Sequence, residues 1–242
     1  MNHIKFLKEF FLGAVPPVFW TLALLRPVQA QVDFGHVYSH MPSTLGLLST
    51  PIMGQDFGRS SPTVKARVRL EPEVYRFKPS LKVTEAIEKD IVEAIVRQLP
   101  NTSIGELSQQ FKRERLKPQF DAIMLKYGYS PHNLADVMVA YAVLSWEAYS
   151  QERVTQGQIQ GATVMLRNAV ARTPRLATLT DVEKQRTAEK LTYAAMFGVG
   201  VMRNSPNPQA SRESVRNHVR HTLGIDFARV RLSNQGFISS DL

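Results

Sequence analysis

Cysteine is absent from all 242 residues. That excludes disulfides, thiol nucleophiles, zinc–cysteine centres and the lipid-modified cysteine of bacterial lipoproteins, so packing alone must hold the fold. Other absences narrow the chemistry further. Gly198-Val199-Gly200 lacks a third glycine and closes a helical pattern instead of opening one, so there is no phosphate-binding loop. No Gly-x-Ser-x-Gly elbow occurs, and Ser103 and Ser130 stand where helix caps belong, which leaves nucleophilic catalysis unsupported. No stretch repeats at a solenoid period, and no apolar run reaches the roughly 20 residues of a spanning helix.

The amino-terminal residues do carry an instruction. Lys5 and Lys8 precede an apolar run from Phe10 to Leu25, and Val28-Gln29-Ala30 places small residues before Gln31. This is the pattern of a secretory signal peptide spanning residues 1–30. A membrane anchor is the rival reading, but the run is short and Pro16-Pro17 interrupts it. The expected product is exported to a bacterial periplasm or the exterior, with no membrane span after cleavage. It would retain 27 basic and 20 acidic residues, a net charge of +7. Its 212 residues suffice for one domain with a leader, not for two full domains.

Residues 31–63, rich in Gly, Pro and Ser without a period, read as a flexible leader. From residue 64 to 242 the expectation is a helical domain with an amino-terminal extended arm. Val64, Ala66, Val68 and Leu70 alternate with Lys65, Arg67 and Arg69, which is strand periodicity, and Val74, Tyr75 and Phe77 continue it to Pro79. A first helix is expected from near Thr84 to Leu99. A second opens at Ser103 with a Ser103/Glu106 capping box, breaks near Pro118 and ends at Gly128 in the left-handed position. The third takes Ser130 as N-cap and Pro131 as its first residue, and its wide apolar surface predicts a central place. A fourth runs from about Thr155 to Val170, and a fifth opens with a Thr180/Glu183 capping box. Small residues such as Ala188, Ala194, Ala195, Gly198 and Gly200 predict close helix approach there. A sixth covers about Gln209 to Thr222 and stops at Gly224, followed by a short strand or tail through Phe227, Val230 and Leu232. The fold class is mainly α, a bundle of five or six helices with a short arm and a carboxy-terminal tail.

Two groups of residues could carry chemistry. Asn133, Asp136, Trp146, Glu147, Gln185 and Glu189 could form a polar cluster between the third and fifth helices, either a hydrolytic site or side chains that fix the register of a bundle. Arg212, Arg216 and Arg220 recur every fourth residue along one face of the sixth helix, and Arg229 and Arg231 alternate in the tail. Such a stripe could meet phosphate or carboxylate groups of an envelope lipid, a polysaccharide or an acidic protein, or it could be an ordinary solvated face. Nucleic acid is disfavoured, because no aromatic residues are interleaved for base stacking. His218 and His221 are three apart with Asp226 nearby, but a metal centre would need more, and His36 and His40 lie in the leader. No metal and no cofactor is expected.

The run Lys126-Tyr-Gly-Tyr-Ser-Pro-His-Asn-Leu-Ala-Asp136, followed by Val139-Ala-Tyr141 and Trp146-Glu147, resembles a family of secreted bacterial proteins catalogued only as a domain of unknown function. Gln185-Arg-Thr-Ala-Glu189 resembles that family's Gln-x-x-Ala-Glu segment. Gly224-Ile-Asp-Phe with Arg231-Leu232 and Gly236-Phe237 resembles its closing pattern. The resemblance covers about residues 74–238 and implies an exported helical domain with no known activity. The expectation is therefore a non-enzymatic binding or interaction protein of the envelope or exterior, in an oligomeric state the sequence leaves open. The alternative is a hydrolase using the polar cluster.

Overall fold

One helix, Leu134–Ser150, has fourteen of its seventeen residues buried, and the rest of the chain is arranged around it. The computed structural model describes residues 72–98 and 103–240. Its helices are α1 (Leu81–Gln98), α2 (Ile104–Glu114), α3 (Leu116–Lys126), α4 (Leu134–Ser150), α5 (Gln156–Ala171), α6 (Asp181–Asn204) and α7 (Pro208–Leu223). A short helical turn, Pro174–Ala177, links α5 to α6, and a hairpin of β1 (Val230–Ser233) and β2 (Gly236–Ser239) closes the described chain. The expected helical class is observed, with seven long helices among the described residues and a hairpin in place of a single final strand or tail. The segments expected to be a signal peptide and a leader, and the alternating segment 64–70, lie outside the described residues.

An apolar residue at almost every position of α4 leaves no side for water, so α5, α6 and α7 all pack on it. The expected central place is borne out. The fully buried Met138 and Tyr141 are among its core residues, and α6 approaches with Ala188, Ala194 and Ala195 buried. α6 in turn supports α1 and α3, and α1 supports α2. The extended segment Arg76–Ser80 ties two helix starts together. Arg76 bridges Asn133, the Phe77 amide donates to the His132 carbonyl, and the Lys78 amide donates to Asp181 at 3.0 Å. Before it, Pro72–Tyr75 forms a 3-10 turn and not the extended run that alternation suggested.

Several helix ends differ from the pattern, each for a local reason. α4 is capped by Asn133, whose Oδ1 accepts the amides of Ala135 and Asp136; Ser130 and Pro131 belong to the preceding turn. Ser103 takes the N-cap position of α2 through its backbone carbonyl, which accepts the Leu107 amide, but its side chain makes no capping bond with Glu106's turn. The break between α2 and α3 falls at Arg115, in the left-handed region at φ 50°, and Pro118 sits inside the first turn of α3. A proline ring clashes with the carbonyl four residues earlier, which is that of Glu114, so the helix must break there and not at the proline itself. The Gln119 side chain then occupies the freed Glu114 carbonyl at 2.5 Å.

The Thr180/Glu183 capping box forms as expected, and the Thr180 amide and hydroxyl hold the Glu183 carboxyl below its usual range. Gly128 and Gly224 adopt the left-handed conformation at the ends of α3 and α7. No helix among the described residues is long and apolar enough to cross a membrane.

Candidate functional site

The six residues of the expected polar cluster occupy three places. At the start of α4, Asp136 accepts the Ser130 amide at 2.9 Å and both Nε and Nη2 of Arg167 from α5, at 3.2 and 2.5 Å. Arg167 also lies over the Tyr129 ring, whose hydroxyl meets Thr163. Asn133 is the adjacent cap. Eleven residues further along α4, roughly 16 Å at the helical rise, Glu147 accepts the Val154 amide at 3.0 Å and fixes the loop into α5. Burial pushes its carboxyl up, partly offset by that amide and by Arg153. Trp146 packs edge-on against Phe227 and Phe237, with ring centroids 5.2 and 5.8 Å away, and anchors the tail.

The third place is the contact of α6 with α1. Gln185 accepts the Ser80 amide and donates to the Ser80 carbonyl, both at 2.9 Å, so its side-chain amide acts as a one-residue strand partner. The same NH2 group reaches Thr84 and Glu189. Glu189, 2% exposed, receives Thr84 Oγ1 and Gln185 Nε2 on one oxygen, at 2.8 and 2.9 Å, while its other oxygen is buried without a hydrogen-bond partner. Burial therefore raises its pKa, against those two hydrogen bonds and the charge of Lys117. A neutral acid suits such a place better than a carboxylate. Glu189→Gln is expected to keep stability within about 1 kcal/mol of the parent or to improve it, measured by urea denaturation. It should also remove the destabilisation that ionising a raised acid brings as pH climbs through its folded-state pKa.

Asp136 and Glu147 stand at opposite ends of α4, and Gln185 spends its amide on α1. The arrangement offers no facing pair of carboxylates with room for a substrate between them.

The arginine stripe is a different case. α7 buries Ser211, Ser214, Val215, His218, Val219, Thr222 and Leu223, a regular helical face, so the arginines turn outward. Arg212 and Arg220 are exposed, and Arg212 sits over the Tyr149 ring at 5.9 Å. Arg216 is held in place, with Nε and Nη2 on the two oxygens of Asp226 at 2.6 and 3.1 Å and Nη1 on Glu213 at 3.0 Å. These bonds keep the Asp226 carboxyl below its usual range. Arg229 stands 3.8 Å from the same carboxylate with its side chain 80% exposed, and Arg231 points outward between the buried Val230 and Leu232.

Asp226 is thus the organiser that joins α7 to the residues leading into the hairpin. In the sequence it was only a nearby carboxylate two residues past Gly224. His218 and His221 do not form a pair, since His218 is buried against Tyr141 and His221 is exposed with Nδ1 on the Asn217 carbonyl. Among the described residues, no group of three or more histidines or acids could hold a metal ion.

A family model described as a family of unknown function (DUF6683) matches residues 55–239, and the chain belongs to that family. No curated protein matches the chain, and no solved structure matches it.

Proposed function

We propose that this member of a family without an assigned activity is an exported, non-enzymatic protein that binds an anionic component of the cell envelope or exterior. The observation that carries the reading is the arrangement of five arginines between Pro208 and Ser240. The two acids in that stretch, Glu213 and Asp226, are both hydrogen-bonded to Arg216, which leaves Arg212, Arg220, Arg229 and Arg231 facing water. Among the described residues, Arg212, Arg220 and Arg231 have no carboxylate at ion-pair distance, so their charge is available to a ligand. The hydrolytic alternative lacks comparable support, because its acids are separated along α4 or spent on structural hydrogen bonds.

Charge reversal at Arg212 and Arg220 should reduce co-sedimentation with isolated envelopes by about tenfold, consistent with two lost contacts of roughly 0.5–1 kcal/mol each. Arg216→Gln should act mainly on stability, since that guanidinium serves Asp226. Unchanged co-sedimentation of the double variant would refute the arginine face as the binding surface.

Export has its own test. The protein recovered from outside the cytoplasm should begin at Gln31. An intact Met1 on that material would mean that the apolar run of residues 10–25 is kept as an anchor.

A further inference from the structure

We infer that the ligand of this surface is an acidic polysaccharide, a step that rests on the anion-binding reading above. Three features of the surface select the polymer. The first is the spacing of the exposed cations. Arg212 and Arg220 are eight residues apart on α7, roughly 12 Å along its axis, while Arg231 lies in β1 and Arg229 just before it. No two of these four share a hydrogen-bonded anchor in the way Arg216 uses Asp226, and none is sunk in the core. A single exposed guanidinium gains little from one small anion in water, so useful affinity requires anions linked to one another and engaged together.

The second feature is what the surface lacks. From Pro208 to Ser240 no large apolar side chain is exposed; the exposed ones among the described residues are Val74, Leu81, Ile104, Leu125, Val164 and Val182. Insertion into a lipid interface needs an apolar face beside the charges, and a protein partner needs an aromatic or aliphatic anchor in the centre of the contact. Past Pro208 the outward residues of α7 are instead Gln209, Arg212, Asn217, Arg220 and His221, groups that give charge and hydrogen bonds to a hydrated chain.

The third feature is rigidity. Arg212 rests on Tyr149, and α7 is tied through Arg216 and Asp226 to the segment carrying Arg229 and Arg231. The cations are therefore held on a fixed frame, and a stiff sugar polymer bearing carboxylates can satisfy several of them without the frame having to reorganise. The polymer lies across α7 and the outward side of β1, with carboxylates on Arg212, Arg220 and Arg231.

The test uses the folded full chain against polygalacturonate, monomeric galacturonate, vesicles of phosphatidylglycerol with phosphatidylethanolamine, and single-stranded DNA. The expected result is salt-sensitive binding to polygalacturonate at least about tenfold tighter than to the monomer. The Arg212→Glu/Arg220→Glu/Arg231→Glu variant should lose about tenfold or more of that affinity. A cooperative urea transition, its midpoint lowered by no more than loss of the Arg212 contact with Tyr149 accounts for, shows that it folds.

Binding to the vesicles or to DNA that the triple variant abolishes, with no binding to polygalacturonate, overturns the polysaccharide inference and leaves the anion-binding reading standing. Binding to none of the four, or polygalacturonate binding indifferent to the triple variant, overturns both.

Discussion

Gly161→Ala is expected to lower folding stability by about 2–3 kcal/mol, although the same exchange in an ordinary helix raises it by about 1 kcal/mol. The reason is the seat of the hairpin on α5. A Cβ built at Gly161 would stand 2.5 Å from the carbonyl carbon and oxygen of Asn234 and 2.5 Å from the amide nitrogen of Gly236. These are backbone atoms of the turn, so no side chain can rotate out of the way. Gly236 itself needs φ 99°, and its position is already filled on the far side by Met165.

Gly157, one turn earlier, is the internal control. There the nearest atoms a Cβ would meet belong to the Asn234 side chain, which can swing aside. Gly157→Ala should therefore stay within about 1 kcal/mol of the parent in urea denaturation, with helix propensity offsetting the displacement. Equal losses for the two variants would show that the hairpin does not lie in this groove.

Acidification is the second large effect. Burial, helped by the charge of His221, pushes the His218 imidazole down to about 4. Above pH 6.5 the ring is neutral in both folded and unfolded chains, and its site is fully stabilising. As pH falls below 6.5 the unfolded chain takes up a proton that the folded chain refuses, and stability drains away until about pH 4, where the folded state accepts it too. The span corresponds to about 3 kcal/mol.

His218→Gln cannot take that proton. The difference between parent and variant in a series of urea midpoints from pH 7 to pH 4 should therefore follow a one-proton slope, whatever the other titrating groups do. Glu147 and Glu189 act in the opposite sense, since their raised carboxyls favour the fold on the acid side, and they contribute equally to both proteins. A flat difference curve would mean that the imidazole is hydrated in the folded chain.

The elements most legible in the sequence are those set by local rules. α4 follows from its wide apolar surface and α7 from its arginines at every fourth residue, and the Thr180 box, Gly128 and Gly224 from the chemistry of helix ends. Where two local rules competed, the sequence misled. Ser130 was the expected cap of α4, but Asn133 takes that place, where Arg76 bridges it and the Phe77 amide bonds the neighbouring His132 carbonyl. Pro118 marked a break correctly but displaced it, because a proline's clash falls a full turn upstream.

The polar residues were least legible. Asp136 finds Arg167 across 31 positions, and Gln185 finds Ser80 across 105, and nothing in a helix's own pattern names such a partner. Glu147 and Glu189 were expected in one cluster, but their separation depends on which faces α4 and α6 share.

The pairing of Trp146 with Phe227 and Phe237, together with the turn of Asn234 in its glycine notch, has a consequence in time. Half of this contact is made near the middle of the chain and half close to residue 237. Until those last aromatic rings have been synthesised, Trp146 lacks these two partners and the notch at Gly161 lacks the turn that fills it.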